Sequence, residues 1–184
     1  MTAPQPSKKN VVVLFPYECR MAALVGIDRT TRSREKGRVR SFEPINGYWD
    51  NDVEGACVEL AHAKFRNRYW GGHVNLFGTP DVDGVHVRRA KNENGALAIT
   101  DKERINKETK QPANKVFALW TGECGVYTYR GAMTTCELSE HPEWLGDSRS
   151  GDVTYFVPQD ALHDSEDTAI AVAEHDAGKR LKWE

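Results

Sequence analysis

The residues best suited to chemistry lie in one short stretch. Over residues 77–88 (FGTPDVDGVHVR) a loop delivers Asp81, and a short strand follows in which His86 and Arg88 alternate with Val85 and Val87. Successive strand side chains point to opposite faces, so His86 and Arg88 share a face. One apolar face backed by Asp, His and Arg is unusual for a plain core strand and suits a strand lining a phosphate- and metal-binding cleft. A second carboxylate, Glu59, lies upstream on a helix, where Ala56 and Ala63 let its face approach a sheet closely. Mg2+ takes one or two protein carboxylates and leaves its other positions to water and phosphate oxygens. It then activates water and neutralises charge on the phosphate, an effect that a neighbouring cation reinforces. The expected site therefore has Glu59 and Asp81 holding Mg2+ or Mn2+, with Arg88 orienting a phosphodiester. Asp83 is either a further metal carboxylate or the turn residue before Gly84. A neutral His86 can bind a metal or take a proton, and it suits Mn2+ better than Mg2+. Arg88 can clamp a phosphate but is never a general base.

These residues need a scaffold. Val11–Phe15 reads as a short strand or apolar lead-in, and Glu18–Arg29 as a helix with apolar residues at 3–4 spacing. Asn51–Asn67 has the strongest helical pattern, with Asn51 as N-cap and Glu54 completing a capping box. Glu54 thus has a structural role, whereas Glu59 has none and is free for chemistry. Strands follow at 85–90 and 97–100, joined as a hairpin through residues 91–95, then at 116–122 and 126–131, joined through Glu123-Cys124-Gly125. A last strand covers 154–158, ending at a proline suited to an edge. A short helix interrupted by Pro142 is expected within 135–144, and a C-terminal helix from about 165. His62 reads as a surface or boundary residue, and Trp120 as core or rim packing.

Two segments are rich in cations. Residues 29–40 carry Arg29, Arg32, Arg34, Lys36, Arg38 and Arg40 against a lone Glu35. This is either a solvated connector or a phosphate-backbone contact, which needs clustered cations and no sequence code. Residues 101–115 read as a long exposed loop, either solvated or a second phosphate contact. The formal net charge of −2 excludes a global polyanion signature, so nucleic-acid binding must come from such local patches. The 184 residues fit one domain over 11–184 preceded by a loose tail at 1–10. No apolar run approaches the ~18 residues of a membrane span. None of the four cysteines pairs as C-x-x-C, so reduced thiols and a cytoplasmic location are expected.

The blocks MAALVGIDR (21–29), EGACVELA (54–61) with Lys64, Tyr69-Trp70, VNLF (74–77), Asp81-Val82, Val87-Arg88, Gly122, Tyr129-Arg130-Gly131 and YFVP (155–158) resemble a set of bacteriophage proteins of similar length. More broadly, the chain resembles the PD-(D/E)XK nuclease-like superfamily. The resemblance implies a restriction-endonuclease-like α/β core, a mixed four- or five-stranded sheet flanked by helices. It makes Glu59 the first-helix glutamate and Asp81, preceded by Pro80, the signature aspartate. His86 then stands at the second acid and Arg88 at the lysine. The implied function is metal-dependent hydrolysis of nucleic acid, with DNA as partner, in the cytoplasm of an infected bacterium. The alternative is a non-catalytic module on the same fold that binds nucleic acid or a host or phage protein.

Overall fold

The computed structural model describes residues 10–37, 45–74, 79–105, 113–148 and 151–180. Residues 1–9 of the expected tail at 1–10, Arg38, Arg40 and residues 106–112 of the expected loop at 101–115 lie outside the described residues. The elements in chain order are β1 (Val11–Val13), α1 (Pro16–Glu35), α2 (Ile45–Phe65), β2 (Val85–Ala90), β3 (Leu97–Thr100), α3 (Asp101–Arg104), β4 (Val116–Glu123), β5 (Val126–Thr134), β6 (Leu145–Asp147), β7 (Val153–Val157) and α4 (Glu166–Arg180). Two 3-10 turns, Glu137–Glu140 and Pro142–Trp144, replace the single helix expected before and after Pro142.

The strands form two sheets. A mixed four-stranded sheet has the order β1-β5-β4-β2, and a three-stranded antiparallel sheet has the order β3-β7-β6. In the larger sheet β2 and β4 run parallel, while β4/β5 and β5/β1 are antiparallel. The β4–β5 hairpin turns on Cys124 and Gly125, both at positive φ (54° and 83°), as a tight two-residue loop requires. The expected β2–β3 hairpin does not form. Leu97 and Ile99 pair with β7 instead, because both sit in a separate apolar core with Phe117, Leu119, Met133 and Val157. The second core lies on the other face of the large sheet, where Val85, Val87, Ala118, Trp120, Tyr127 and Tyr129 meet α2 and Ala169 of α4. The layers therefore run from α1 to α2 with α4, then the large sheet, then the small sheet.

α1 exceeds its expected bounds at both ends, and α2 starts earlier than expected and ends at Phe65. α1 starts at Pro16, whose fixed φ suits the first helical position, and Glu18 Oε2 accepts the exposed Phe15 N–H at 2.6 Å. It continues to Glu35, so Arg29–Glu35 are helical and not a connector. Arg32 and Arg34 in its last turn complement the negative end of the helix dipole. α2 begins at Ile45, where a loop was expected, so Asn51 is interior and Glu54 is not a cap. Glu54 instead accepts the Tyr127 hydroxyl at 2.6 Å and the Cys124 N–H at 3.2 Å, tying α2 to the β4–β5 hairpin.

α1 and α2 pack through small residues. Ala22, Gly26 and Thr30 are buried at i, i+4, i+8, and Thr30 Oγ1 donates to Asp52 Oδ2 at 2.6 Å. A Cβ on Gly26 would lie 2.5 Å from Val53 Cα, so only glycine permits this approach. Gly26→Ala should push the helices apart and cost about 1–3 kcal/mol in a urea melt, despite alanine's better helix propensity. A neutral or stabilising result would show that the helices are not in close contact there.

His62 is buried inside the core, not at a boundary. Its Nδ1 accepts the Trp120 indole N–H at 3.2 Å, so Nδ1 carries a lone pair and the ring proton sits on Nε2. The 3.7 Å approach of Glu166 Oε1 to Nδ1 is therefore not an ion pair. Burial, with Arg66 nearby, brings the His62 pKa down from 6.5 to about 4. The unfolded chain then takes up this proton more readily than the folded one. Stability falls as pH drops from 6.5 towards 4, by roughly 3 kcal/mol if the change runs to completion. His62→Gln keeps an acceptor for Trp120 and should flatten that part of the pH–stability curve. Identical curves for the variant and the wild type would refute the assignment.

Candidate functional site

The site residues gather around the edge strand β2, on both of its sides. Val85 and Val87 pair with Val116 and Ala118 and face the helices, whereas His86 and Arg88 pair with Phe117 and Leu119 and face the small sheet. The shared face expected for His86 and Arg88 is present. The His86 ring stacks on Phe117 at 4.9 Å, and the Arg88 guanidinium lies 5.1 Å from the same ring's centroid. Glu59, on α2, lies across the sheet from them. Asp81, ahead of β2, is close to both sides, acting on Glu59 electrostatically and standing 3.7 Å from Arg88 Nη1.

Glu59 is 7% exposed, and both of its oxygens are committed. Arg29 donates Nη1 to Oε1 at 2.6 Å and Nη2 to Oε2 at 2.7 Å, and Trp70 Nε1 reaches Oε2 at 3.3 Å. Arg29 Nε also donates to the His73 carbonyl at 2.8 Å, which fixes the fork's orientation. Burial raises the Glu59 carboxyl above its ordinary range, and the Arg29 fork offsets only part of that. Burial works against the Arg29 charge too, but the carboxylate holds its pKa above the usual value. The close two-bond geometry is that of a charged pair.

Asp81 sits in a tight turn. Asp83 and Gly84 both take positive φ (44° and 85°), and Val85 N–H returns to the Val82 carbonyl at 2.8 Å. This is the Asp-Gly pattern of a two-residue reversal. Asp81 Oδ2 accepts the Val87 N–H at 2.8 Å, and Arg88 Nη1 stands 3.7 Å from the same oxygen. Burial raises the Asp81 carboxyl, and Glu103 adds to that. The Val87 N–H and the charges of Arg88 and Arg29 pull it down by less. Asp81 is near enough to act electrostatically on both Glu59 and Arg29. Asp83 has a different place: it is a turn residue paired with Arg68 at 2.9 Å.

Glu103 joins the group without having been expected there. Its Oε1 pairs with Arg88 Nη2, and its Oε2 accepts the Thr100 N–H and hydroxyl at 3.0 and 2.9 Å. Against burial, which raises it, Arg88 and Thr100 hold its carboxyl below the ordinary range. The signal was in the sequence as Thr100-x-x-Glu103, a capping box directly after a strand. The first residues of the expected 101–115 loop are thus a helical turn, Asp101–Arg104. Burial, with Arg88 and Lys115 nearby, lowers the His86 pKa to about 4, so the ring is neutral at pH 7 and packed as an aromatic.

The cations of the basic tract divide. Arg29 turns inward to Glu59, Arg32 pairs with Asp28 at 3.2 Å, and Arg32, Arg34 and Lys36 stay on the exposed end of α1.

A resident Mg2+ or Mn2+ does not fit this arrangement. Both Glu59 oxygens face a guanidinium, Asp81 is bonded to a backbone N–H, and His86 lies on the other side of the sheet. Among the described residues there is no group of three or more His, Cys, Asp or Glu side chains that could hold a metal ion.

Removing the clamp leaves a buried charge. Arg29→Met should destabilise by about 3–5 kcal/mol at pH 7.5. A carboxyl whose folded pKa is raised gains stability as pH falls through that value, so the deficit should shrink at pH 5. Adding Glu59→Gln should recover much of it. Equal losses at both pH values with no recovery would refute a charged Arg29–Glu59 pair. No protein-family model matches the chain, and no curated protein or solved structure matches it.

Proposed function

We propose that this protein is a nucleic-acid-binding module on a restriction-endonuclease-like scaffold, acting in phage-infected bacteria, with its acidic group closed and non-hydrolytic. The observation that carries this reading is the division of the basic tract. Arg29 closes the carboxylate that a nuclease would use, while Arg32, Arg34 and Lys36 remain on the exposed end of the same helix. Clustered cations suffice to track a phosphate backbone without sequence readout. The absence of a general base at Arg88 and the stacked, neutral His86 support the same view.

A second reading, metal-dependent phosphodiester hydrolysis, draws on one observation. Glu59, Asp81 and Glu103 outnumber Arg29 and Arg88, so the group keeps a surplus negative charge.

One set of measurements separates the two. Anisotropy titrations with labelled duplex and single-stranded DNA at several salt concentrations should show salt-dependent binding. The triple change Arg32→Ala, Arg34→Ala, Lys36→Ala should weaken it and reduce the duplex salt slope by about 2–3. The same DNAs, with branched forms added, should survive incubation in Mg2+ or Mn2+. Cleavage that Asp81→Ala abolishes would establish the second reading. No DNA binding at low salt would remove the proposal and point to a protein partner.

A further inference from the structure

α1 carries its large apolar residues on the wrong side for a helix that only packs inward. The face against α2 is made of Ala22, Gly26 and Thr30, all buried. The opposite face presents Tyr17, Met21 and Leu24, at i, i+4, i+7, with Ile27 alongside and Phe15 stacked on Tyr17 at 5.9 Å. Phe15, Tyr17, Met21, Leu24 and Ile27 are 56%, 65%, 47%, 68% and 39% exposed. With an aromatic side chain carrying ~150–250 Å², this leaves on the order of 500 Å² of apolar surface on one face. A standard interface removes about 800 Å² per partner, of which somewhat more than half is apolar. The stripe therefore has the area one side of a stable interface needs, and it exceeds the isolated apolar residues normal on a surface.

We infer that this face of α1 binds the same face of a second copy, forming an antiparallel two-fold helix pair centred on Leu24. The residue pattern identifies the occupant. A two-fold axis at Leu24 sets Arg20 opposite Asp28, Met21 opposite Ile27 and Tyr17 opposite Thr31, each pair twice, as an isologous interface demands. Arg20 is exposed, and the Asp28 side chain is 45% exposed with its own Arg32 contact at 3.2 Å, so a partner's guanidinium can reach it. The shapes also alternate. The N-terminal half of the stripe presents the large side chains Tyr17 and Met21. The C-terminal half borders an open cleft of about 520 Å³ between α1 and residues 72–74, lined by Leu24, Ile27, Thr31, Gly72 and Val74 among others. The antiparallel arrangement places each copy's Tyr17 and Met21 over the other's cleft. Opposite charges flanking an apolar centre set the register of such a pair.

Sedimentation equilibrium of the full chain tests this. The wild type should be a dimer at micromolar concentration, and Leu24→Asp should be a monomer with unchanged far-UV circular dichroism. Arg20→Asp sets two carboxylates against each other twice and should weaken the dimer at least tenfold. Arg20→Asp combined with Asp28→Arg restores opposite charges and should recover most of that affinity. Arg20 is exposed and the Asp28 side chain is half-exposed, so the charge variants report on association if Leu24→Asp fails to fold. A monomeric wild type at 100 μM would overturn the inference. So would a dimer indifferent to Leu24→Asp, or a charge-swapped double variant no better than Arg20→Asp.

Discussion

The contact on which most of the structure depends is the Arg29 fork on Glu59. It is nearly enclosed, and it joins three parts of the chain: α1 through Arg29, α2 through Glu59, and the segment after α2 through the Trp70 indole and the His73 carbonyl. A carboxylate in this position is tolerable only with a matched cation, since burial alone raises its pKa. The fork therefore restricts how α1 can lie on α2. The Gly26 contact with Val53 and the Thr30 hydrogen bond to Asp52 act in the same sense, nearer the start of α2. The interaction that organises the helices is also the one that removes the carboxylate from solution chemistry.

The edge position of β2 explains the rest of the site. Strand alternation sends Val85 and Val87 into the helical core and His86 and Arg88 to the side of the small sheet. Asp81, in the turn ahead of the strand, is the point where the two sides meet. Arg88 reaches back to it and across to Glu103, so a run of charges forms, Arg29, Glu59, Asp81, Arg88, Glu103, in which the carboxylates Glu59 and Asp81 are neighbours and a cation stands toward either end. Each carboxylate has a cation or an N–H as neighbour. Such a chain suits a rigid, self-satisfied edge better than an open metal cleft.

α1 has two unlike ends and two unlike faces. Its small inner face permits the close helix contact, its outer face carries the apolar stripe, and its last turns expose Arg32 and Arg34. The boundary at Arg29 separates a structural cation from surface cations within a few residues. Helical spacing makes that separation: Arg29 falls on the side of Ala22, Gly26 and Thr30, and Arg32 on the side of Leu24 and Asp28.

Much of this was legible in the sequence alone. β2, β3, the β4–β5 hairpin and α4 lie where alternation, turn residues and amphipathic spacing place them. So does the shared face of His86 and Arg88, because these are local properties of the backbone. The close approach of the Glu59 face also follows from Ala56 and Ala63. What the sequence did not determine is pairing at a distance. That β3 joins β7 rather than β2 depends on which apolar core takes Leu97 and Ile99. The extension of α1 through Glu35 and the start of α2 at Ile45 override local signals that suggested a connector and a loop. His62 at the core, Glu54 on Tyr127 and Glu103 on Arg88 are likewise partnerships between residues far apart in the chain. Above all, the sequence supplied Arg29 and Glu59 as a candidate phosphate contact and a candidate metal ligand. Only the tertiary structure decided that they satisfy each other, because a buried charge takes whichever counter-charge the packing brings within reach.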